Sequence, residues 1–473
     1  MLSFFATLGI GMRSLQAQRQ GIEVTGQNLA NVNNPGYARQ RLLVQSSVAL
    51  PTEIGPQGTG ADAVSIQQIR SSLVDRQITS ESSVNAFLEA QQRALQYAES
   101  SLGEQIDRNA ASVSGTSATN SGGSGLSTSL NEFFNAFQSL SASPSSITER
   151  QSVITKGQTL ASRFSQTDER LQELGRGLNE SLGEDLVNAN NLLKSIADLN
   201  DQIVGSEFAG GVANDLRDLR QQRLEELAKI VNIESVQQAN GAVNVSISGT
   251  QVVQDKNVAD TLELYDAGNG QMLVRAATSD TPLTLTGGSV QGTIDARDGA
   301  LASLRTQIND LAKQVISEVN AVHRAGFGLN NSTGEDFFSG TDASDIKVNA
   351  RLTNDPTLIQ ASGAVDAPGD NTVALALAQL AMKRHASLGN HTFSERHGQT
   401  VAELGLALST NNNRLTDQQL VQNMLTRQRD SVSGVSIDEE MTELVKFQKA
   451  FEASARLVST IDEMLDTVVN LKR

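Results

Sequence analysis

Residues 1–40, MLSFFATLGIGMRSLQAQRQGIEVTGQNLANVNNPGYARQ, place apolar side chains at every third or fourth position until residue 29. This is the heptad spacing of a helix that packs along one seam, interrupted here by Arg19 and Gly26. Three asparagines, Pro35 and Gly36 then end the helix, because proline cannot continue it and Gly and Asn accept turn conformations. The predicted N-terminal seam is Met1, Phe5, Leu8, Met12, Leu15, Ile22 and Leu29.

The C-terminus repeats this pattern from Ile437 almost to Arg473. Ser436 and Glu439 have the spacing of a capping box at the start of this second helix. Its predicted seam is Met441, Leu444, Phe451, Ala455, Val458, Ile461, Leu465 and Val468. Neither terminal helix has a partner within its own segment, so we expect the two helices to pair with each other or with neighbouring copies of the chain.

The middle of the chain changes its apolar period twice. A long helical stripe from Val153 to Ile203 predicts a rod, and a Ser/Gly/Thr-rich run at 110–125 predicts a flexible loop. From residue 231 to 299 the period becomes two, with Asn240-Gly241 and Asn269-Gly270 as hairpin turns. Helical spacing then returns from Leu301 onward.

These patterns predict a mainly α fold with an inserted small β domain. The body is an elongated helical bundle or coiled-coil rod in which the N- and C-terminal helices are paired. We expect a terminal coiled-coil core domain at 1–35 and 437–473 and a β-rich outer domain inserted at 231–299. The segments 36–230 and 300–436 form the mostly helical body, with some β-hairpin segments.

Composition and charge limit the partners and the location that the chain can have. The chain carries 37 Lys and Arg against 53 Asp and Glu, a formal charge of −16, and no basic block offsets it. Such a surface repels phosphate backbones, so we expect no nucleic-acid partner. The N-terminal apolar stretch lacks the basic residues and cleavage pattern of a secretory signal peptide. No apolar run approaches about 18 residues, so we expect no membrane insertion.

Chemical motifs are scarce. The phosphate-loop, dinucleotide-binding, HExxH and GxSxG patterns are all missing, and there is no cysteine. His385, His391 and His397 recur at intervals of six, which does not bring them onto one helix face, and solvated loop histidines are the better interpretation. The acidic run 438–440 is typical of a helix N-terminus. The oxygen-rich run 330–336 lacks EF-hand spacing. We therefore expect no catalytic residue, cofactor or metal site, and no enzyme.

The turn after the first helix is the most specific motif. Leu29 to Gln40, LANVNNPGYARQ, resembles the N-terminal signature of the flagellar rod, hook and hook-associated protein family, at Asn31, Pro35, Gly36, Tyr37 and Arg39. Three further segments resemble the hook-associated protein 1 branch of that family. They are LRDLRQQR at 216–223, VHRAGF at 322–327 with GEDFF at 334–338, and the C-terminal run 434–465. The chain looks short for this branch, which implies that an outer domain of larger relatives is missing or reduced.

The resemblance implies a structural protein at the junction of hook and filament. It implies that the terminal helices pack in the inner core of a tubular assembly and are disordered in the monomer. The protein would be secreted unfolded through the flagellar type III export apparatus, with a cytoplasmic chaperone on its C-terminal helix, and would end in the extracellular flagellum. Its neighbours would be hook protein, the second hook–filament junction protein and copies of itself.

Other functions stay open at this point. Within the family, the chain could be hook protein or the second hook–filament junction protein. Outside the family, a coiled-coil surface adhesin shares the composition, although it would need a cleavable signal and a membrane anchor. An enzyme within the β insert would require convergent polar residues that no motif indicates.

Overall fold

The computed structural model describes residues 2–52, 55–102, 125–208, 210–268 and 270–470. Met1, Asn269, Arg473 and the Ser/Gly/Thr-rich run up to residue 124 lie outside these ranges. Long helices dominate and the sheets are small, which confirms the predicted fold class. Within the described ranges, no helix is long and apolar enough to cross a membrane.

Eleven α-helices are described. They are α1 (Leu2–Ala30), α2 (Ser72–Leu102), α3 (Leu126–Ala142), α4 (Ile147–Phe208), α5 (Asn214–Ile230), α6 (Gly288–Asp295), α7 (Ala302–His323), α8 (Ala350–Asn354), α9 (Thr372–Gln379), α10 (Phe393–Ser433) and α11 (Ile437–Asn470). A π-helical turn, Ala296–Leu301, joins α6 to α7, and short 3-10 turns lie at Pro356–Leu358 and Ala386–Leu388.

The strands form separate small sheets. They are β1 (Gln40–Ser46), β2 (Leu50–Thr52), β3 (Gly55–Gln57), β4 (Ala61–Gln68), β5 (Glu234–Gln237), β6 (Val243–Ile247), β7 (Thr250–Gln254), β8 (Asn257–Val258), β9 (Leu262–Asp266), β10 (Met272–Ala276), β11 (Thr281–Pro282), β12 (Phe338–Ser339) and β13 (Lys347–Val348). Strands β1 and β4 pair antiparallel, and β2 and β3 pair at the end of the same long hairpin.

Helix α4 connects two hydrophobic cores. It is continuous over 62 residues, as its apolar stripe predicts, and is therefore about 90 Å long. Phe164 and Leu171 belong to the first core, with residues of α2, α3, α7, α9 and α10. Leu182 and Leu193 belong to the second core, with residues of α5, α6 and the strands β6, β7, β9 and β10. One helix thus holds the helical body and the β insert together.

The β insert contains two antiparallel sheets, ordered β5-β6-β7-β8 and β11-β10-β9. Both lie within 231–299, although the boundaries of this segment as a separate domain remain a prediction. At the Asn240-Gly241 turn, Gly241 has a φ of +89°, which glycine adopts without strain. Asp260 accepts hydrogen bonds from the backbone amides of Thr278 and Ser279 at 2.7 and 2.9 Å. These bonds hold the pKa of Asp260 down at about 2 despite its burial.

An aromatic cluster fills the first core. Phe133, Phe137, Phe337 and Phe338 are fully buried, and adjacent rings lie within 5.6 Å of one another, centroid to centroid. The GEDFF segment supplies two of these rings. The VHRAGF segment supplies His323, whose Nδ1 lies 2.8 Å from the Glu335 carbonyl oxygen. Since Nδ1 faces an acceptor it carries the proton, and Nε2 accepts from the backbone N–H of Gln360 at 3.1 Å.

The prediction of solvated loop histidines is wrong for two of the three. His385 and His397 are 3% and 2% exposed, and only His391 is near the surface. The His385 ring stacks on Phe393 with centroids 4.4 Å apart, because the loop before α10 folds back onto the first core. Among the residues that the structure describes, no three His, Asp or Glu side chains are placed to hold a metal.

Candidate functional site: the terminal helix pair and its polar base

Helices α1 and α11 pack antiparallel through small residues. A Cβ atom at Gly11 would lie 2.7 Å from Val458 Cγ2, and one at Gly21 would lie 2.6 Å from the Phe447 ring. Between these points, about one turn from Gly11, the hydroxyls of Ser14 and Ser454 are 2.8 Å apart. The two helix backbones therefore approach closely, with side chains of α11 seated against glycines of α1. On another side, α1 also packs against the β1–β4 hairpin.

The contact line on α1 lies one position before the predicted seam, along Gly11, Ser14, Gly21 and Asn28. Phe5 and Met12 of the predicted seam are 60% and 61% exposed. Leu8, Leu15, Ile22 and Leu29 flank the contact line and are partly buried. The difference arises because small residues let the helices approach, whereas the heptad pattern is dominated by the larger side chains beside them.

On α11 the predicted seam residues divide into two groups. Ile461 is 4% exposed, and Leu444, Ala455, Val458 and Leu465 are partly buried. Met441, Phe451 and Val468 are exposed, by 45%, 36% and 42%. We call the exposed seam residues of both helices the exposed apolar set: Phe5, Met12, Met441, Phe451 and Val468. Nothing within the described chain buries these five side chains.

The turn motif connects α1 to the body. Asn31 donates to the backbone carbonyl of Gln27 at 3.0 Å and so caps the end of α1. Pro35 is exposed at the turn. A Cβ atom at Gly36 would overlap the Gln222 side chain of α5, so a larger residue there would have to displace that side chain. Tyr37 and Arg39 point their polar groups at the terminal helices instead.

Asn28 is the centre of a cluster that we call the polar base: Asn28, Tyr37, Arg39, Gln40 and Glu440. Its Nδ2 donates to the Gln40 carbonyl at 2.8 Å and to Glu440 Oε2 at 2.9 Å. Its Oδ1 accepts from the Tyr37 hydroxyl at 2.7 Å and from the Gln40 N–H at 3.0 Å. Arg39 Nε donates to Glu440 Oε1 at 2.7 Å. All four hydrogen-bonding positions of the Asn28 amide are filled.

Helix α5 anchors the polar base to the body. Asp218 accepts from the Ala38 N–H at 3.1 Å, and from Gln68 and Arg70 at 2.6 Å each. Burial nevertheless raises the pKa of Asp218 to about 6, against the opposing effect of Arg70. Burial and the nearby carboxylates of Asp215, Asp218 and Glu440 likewise raise the pKa of the Tyr37 hydroxyl. The LRDLRQQR segment thus holds the base of the terminal helices.

The acidic run at the start of α11 does more than cap a helix. Glu440 is 2% exposed and accepts from Asn28 and Arg39, and Glu439 Oε2 accepts from Arg39 at 2.6 Å. No hydrogen bond between the Ser436 and Glu439 side chains and each other's backbone is found in the described chain, so the predicted capping box is wrong. The carboxylates bind the N-terminal turn because the chain brings residues 39 and 440 together.

The sequence predicted no contact for Asn28, Gln40, Asp218 or Glu440, although the last three lie in segments singled out above. One signal was present: Gly11, Ser14, Gly21, Thr25 and Asn28 are small or polar residues at helical spacing within an apolar helix. Such a series marks the face through which a helix approaches another closely. One partner of Asn28, Glu440, lies far away in the chain, and no local pattern identifies it.

Comparison with known proteins agrees with this architecture. Residues 115–338 match the family model for the flagellar hook-associated protein FlgK helical domain. Residues 426–471 match that for the C-terminal region of flagellar basal body rod FlgEFG proteins. Flagellar hook-associated protein 1 of Bacillus subtilis is 27% identical over 99% of both chains, and that of Escherichia coli is 24% identical over 98% of both. The alignment to the latter spans 556 residues, more than the 473 of this chain, so that relative contains segments missing here.

The solved structure of the flagellar hook junction protein FlgK from Burkholderia pseudomallei shares the fold. The TM-score is 0.63 at 14% identity, over 76% of this chain and all of that one. Paired helical ends, a rod-like body and these matches define a structural protein of the bacterial flagellum. The chain contains a FlgK helical domain and is similar along nearly its whole length to flagellar hook-associated protein 1. The resemblance seen in the sequence is confirmed, and the adhesin and the other axial proteins are not supported.

Proposed function

We propose that this chain is a subunit of the junction between hook and filament and that its terminal helices form the assembly surface. The exposed apolar set carries the second part of this proposal. Of the residues of α11, only Glu440 and Ile461 are buried in the described chain. Large apolar side chains left in water at this density are typical of a surface that another protein covers.

Copies of the same chain are the first partners we propose for this surface. Terminal helices about 45–50 Å long would pack side by side around a common axis, each covering the exposed apolar set of its neighbour. Hook protein would lie on one side of this ring and the second hook–filament junction protein on the other. The similarity to flagellar hook-associated protein 1 supports this order of neighbours.

Before assembly, α11 requires a different cover. Met441, Phe451 and Val468 would expose apolar surface in the cell, where it favours aggregation. We propose that a cytoplasmic chaperone binds α11 at this stage. The chain would then pass unfolded through the flagellar export apparatus to the extracellular flagellum, and the terminal helices would become fully ordered only in the assembly. The small buried surface of α11 is consistent with such late ordering.

Deletion of the gene tests the position of the protein. We expect bare hooks by electron microscopy and flagellin shed into the medium, with both defects reversed by a plasmid copy. A strain lacking flagellin is the control, since it also has bare hooks but sheds nothing. Normal filaments in the deletion strain would contradict a place at the hook–filament junction.

A further inference from the structure

The polar base joins both ends of the chain to one short backbone segment. Residue 40 offers both its N–H and its carbonyl to Asn28, in the manner of a strand neighbour. Residue 39 is fixed in turn, because its N–H donates to the Ser433 carbonyl at 2.9 Å and its carbonyl accepts from Ile69 N–H at 2.8 Å. The segment 39–40 therefore contacts the end of α1, the end of α10 and the β1–β4 hairpin.

Glu440 depends on this segment for its charge balance. Its side chain is 3% exposed, and it accepts from Asn28 on one carboxylate oxygen and from Arg39 on the other. A buried carboxylate without such partners is strongly unfavourable, since burial removes its hydration and nothing replaces it. Docking of α11 against α1 buries Glu440, so docking is favourable only when Asn28 and Arg39 are already in place.

The rest of the α1–α11 contact is extensive, but its apolar side chains are mostly only partly buried, and a further side-chain hydrogen bond joins Ser14 to Ser454. Ile461 is the only other buried residue of α11 in the described chain, and the contacts at Gly11 and Gly21 are van der Waals contacts of single side chains. We propose that Asn28 is the positioning residue that docks α11 against α1, and that docking requires the folded turn at 37–40. The N-terminal segment thereby controls the C-terminal helix. This inference concerns the isolated chain and does not depend on the proposed function.

The absence of native cysteine makes docking measurable. Ser14→Cys with Ser454→Cys places two thiols where the hydroxyls are 2.8 Å apart, so the rate of disulfide formation reports docking. In this background Asn28→Asp removes the amide donor and sets a second carboxylate beside Glu440. We expect the rate to fall about tenfold or more, as the loss of a buried charged hydrogen bond implies.

Thr25→Val is the matched control. Thr25 is 3% exposed and lies three positions before Asn28, but its hydroxyl donates to the Gly21 carbonyl of its own helix. We expect Thr25→Val to leave the disulfide rate unchanged. A fall as large as that of Asn28→Asp would overturn the proposal, since any buried polar change would then have the same effect.

A compensating change separates a direct contact from general destabilisation. Combining Asn28→Asp with Glu440→Gln exchanges the two groups, so that position 440 supplies the amide donor and position 28 the carboxylate. We expect this double variant to recover most of the rate of disulfide formation. Amide exchange over α4 shows whether the body is folded in each variant. Should Asn28→Asp unfold the body, Asn28→Ala makes the same comparison without an added charge. An unchanged rate in a folded Asn28 variant, or no recovery in the double variant, would overturn the proposal.

Discussion

Two glycines of α1, Gly21 and Gly26, differ in what surrounds them. At Gly21 a Cβ atom would overlap the Phe447 ring, whereas at Gly26 nothing lies within 4 Å. Glycine inside a helix normally costs about 0.5–1 kcal/mol relative to alanine. The cost at position 21 is offset by the close approach of α11, and the cost at position 26 has no such compensation in the described chain.

Gly21→Ala and Gly26→Ala should therefore have opposite effects. We expect Gly21→Ala to push α11 away and weaken its docking by about 1–3 kcal/mol, the usual cost of overpacking. Gly26→Ala should stabilise α1 by up to about 1 kcal/mol. Amide exchange of α11 peptides distinguishes the two: protection should fall in the first variant only. Equal protection in both would show that the two helices do not meet at Gly21.

His323 makes stability depend on pH. Burial lowers its pKa to about 4, from an ordinary value of 6.5. The unfolded chain therefore binds a proton below pH 6.5 while the folded chain does not, and stability falls as pH drops from 6.5 towards 4, by about 3 kcal/mol in total. Asp218 acts in the opposite direction below pH 6, because its raised pKa lets the folded chain bind a proton first.

His323→Gln isolates this contribution. The variant should lose about 1–3 kcal/mol at pH 7 through its hydrogen bonds, but the difference from the unaltered chain should shrink as pH falls to 4.5. Chemical denaturation at several pH values measures it, and the Asp218 contribution cancels between the two proteins. His391→Gln, at a partly exposed position, is the control and should keep the full acid sensitivity. A constant difference across this pH range would contradict a buried neutral His323.

At the scale of elements, the exposed apolar set and the contact line have separate roles. Met12 is 61% exposed on α1, outside the Gly11–Val458 contact. We expect Met12→Asp to prevent incorporation into the junction, because neighbouring copies would have to bury its charge. Disulfide formation between positions 14 and 454 should be unaffected, since the helix pair does not use Met12.

Gln16→Asp adds the same charge one turn further along α1, at an exposed polar position. Swarming in soft agar by deletion strains that carry each variant compares the two. Motility should be lost with Met12→Asp and kept with Gln16→Asp. Equal motility would contradict the role of the exposed apolar set in assembly.

Element prediction succeeded where periodicity alone determines structure. The stripe from Val153 to Ile203 has the helical period throughout, and α4 is accordingly unbroken. The change of period at 231 marks the β insert, because alternation puts every second side chain into one core. On α1 the contact with α11 lies one residue before the predicted seam, for a physical reason. Gly11 and Gly21 contribute no apolar side chain to the pattern, yet they determine where the helices touch.

At the scale of the whole molecule, long-range pairs organise the ends. Asn28 meets Glu440, Asp218 meets the Ala38 amide, and His323 meets the Gln360 amide. The sequence contains each of these residues but no periodicity that joins them. The family resemblance singled out the segments around residues 30, 216, 322 and 434. The structure shows which contacts each of them makes. They bury polar groups against one another or supply rings to the first core.

The two terminal helices of the chain lie side by side on this rod. Helices α1 and α11 are the first and last described elements of the chain; α1 ends at the polar base and α11 starts from it. The two hydrophobic cores along α4 hold the rest of the molecule independently of that pair. The body can therefore stay folded while the terminal helices exchange one partner for another, as the proposed chaperone and assembly stages require.

Thiol labelling at position 12 tests the assembly surface most directly. The chain has no native cysteine, so Met12→Cys and, as control, Gln251→Cys on an exposed part of β7 each give a single thiol. Maleimide–polyethylene glycol labelling, detected as a gel shift on an immunoblot, compares the purified chain with flagella isolated from motile cells. We predict that Met12→Cys reacts in the free chain and is protected in flagella, while Gln251→Cys reacts in both. Equal reactivity of Met12→Cys in the free chain and in flagella would contradict the assembly role of the terminal helices.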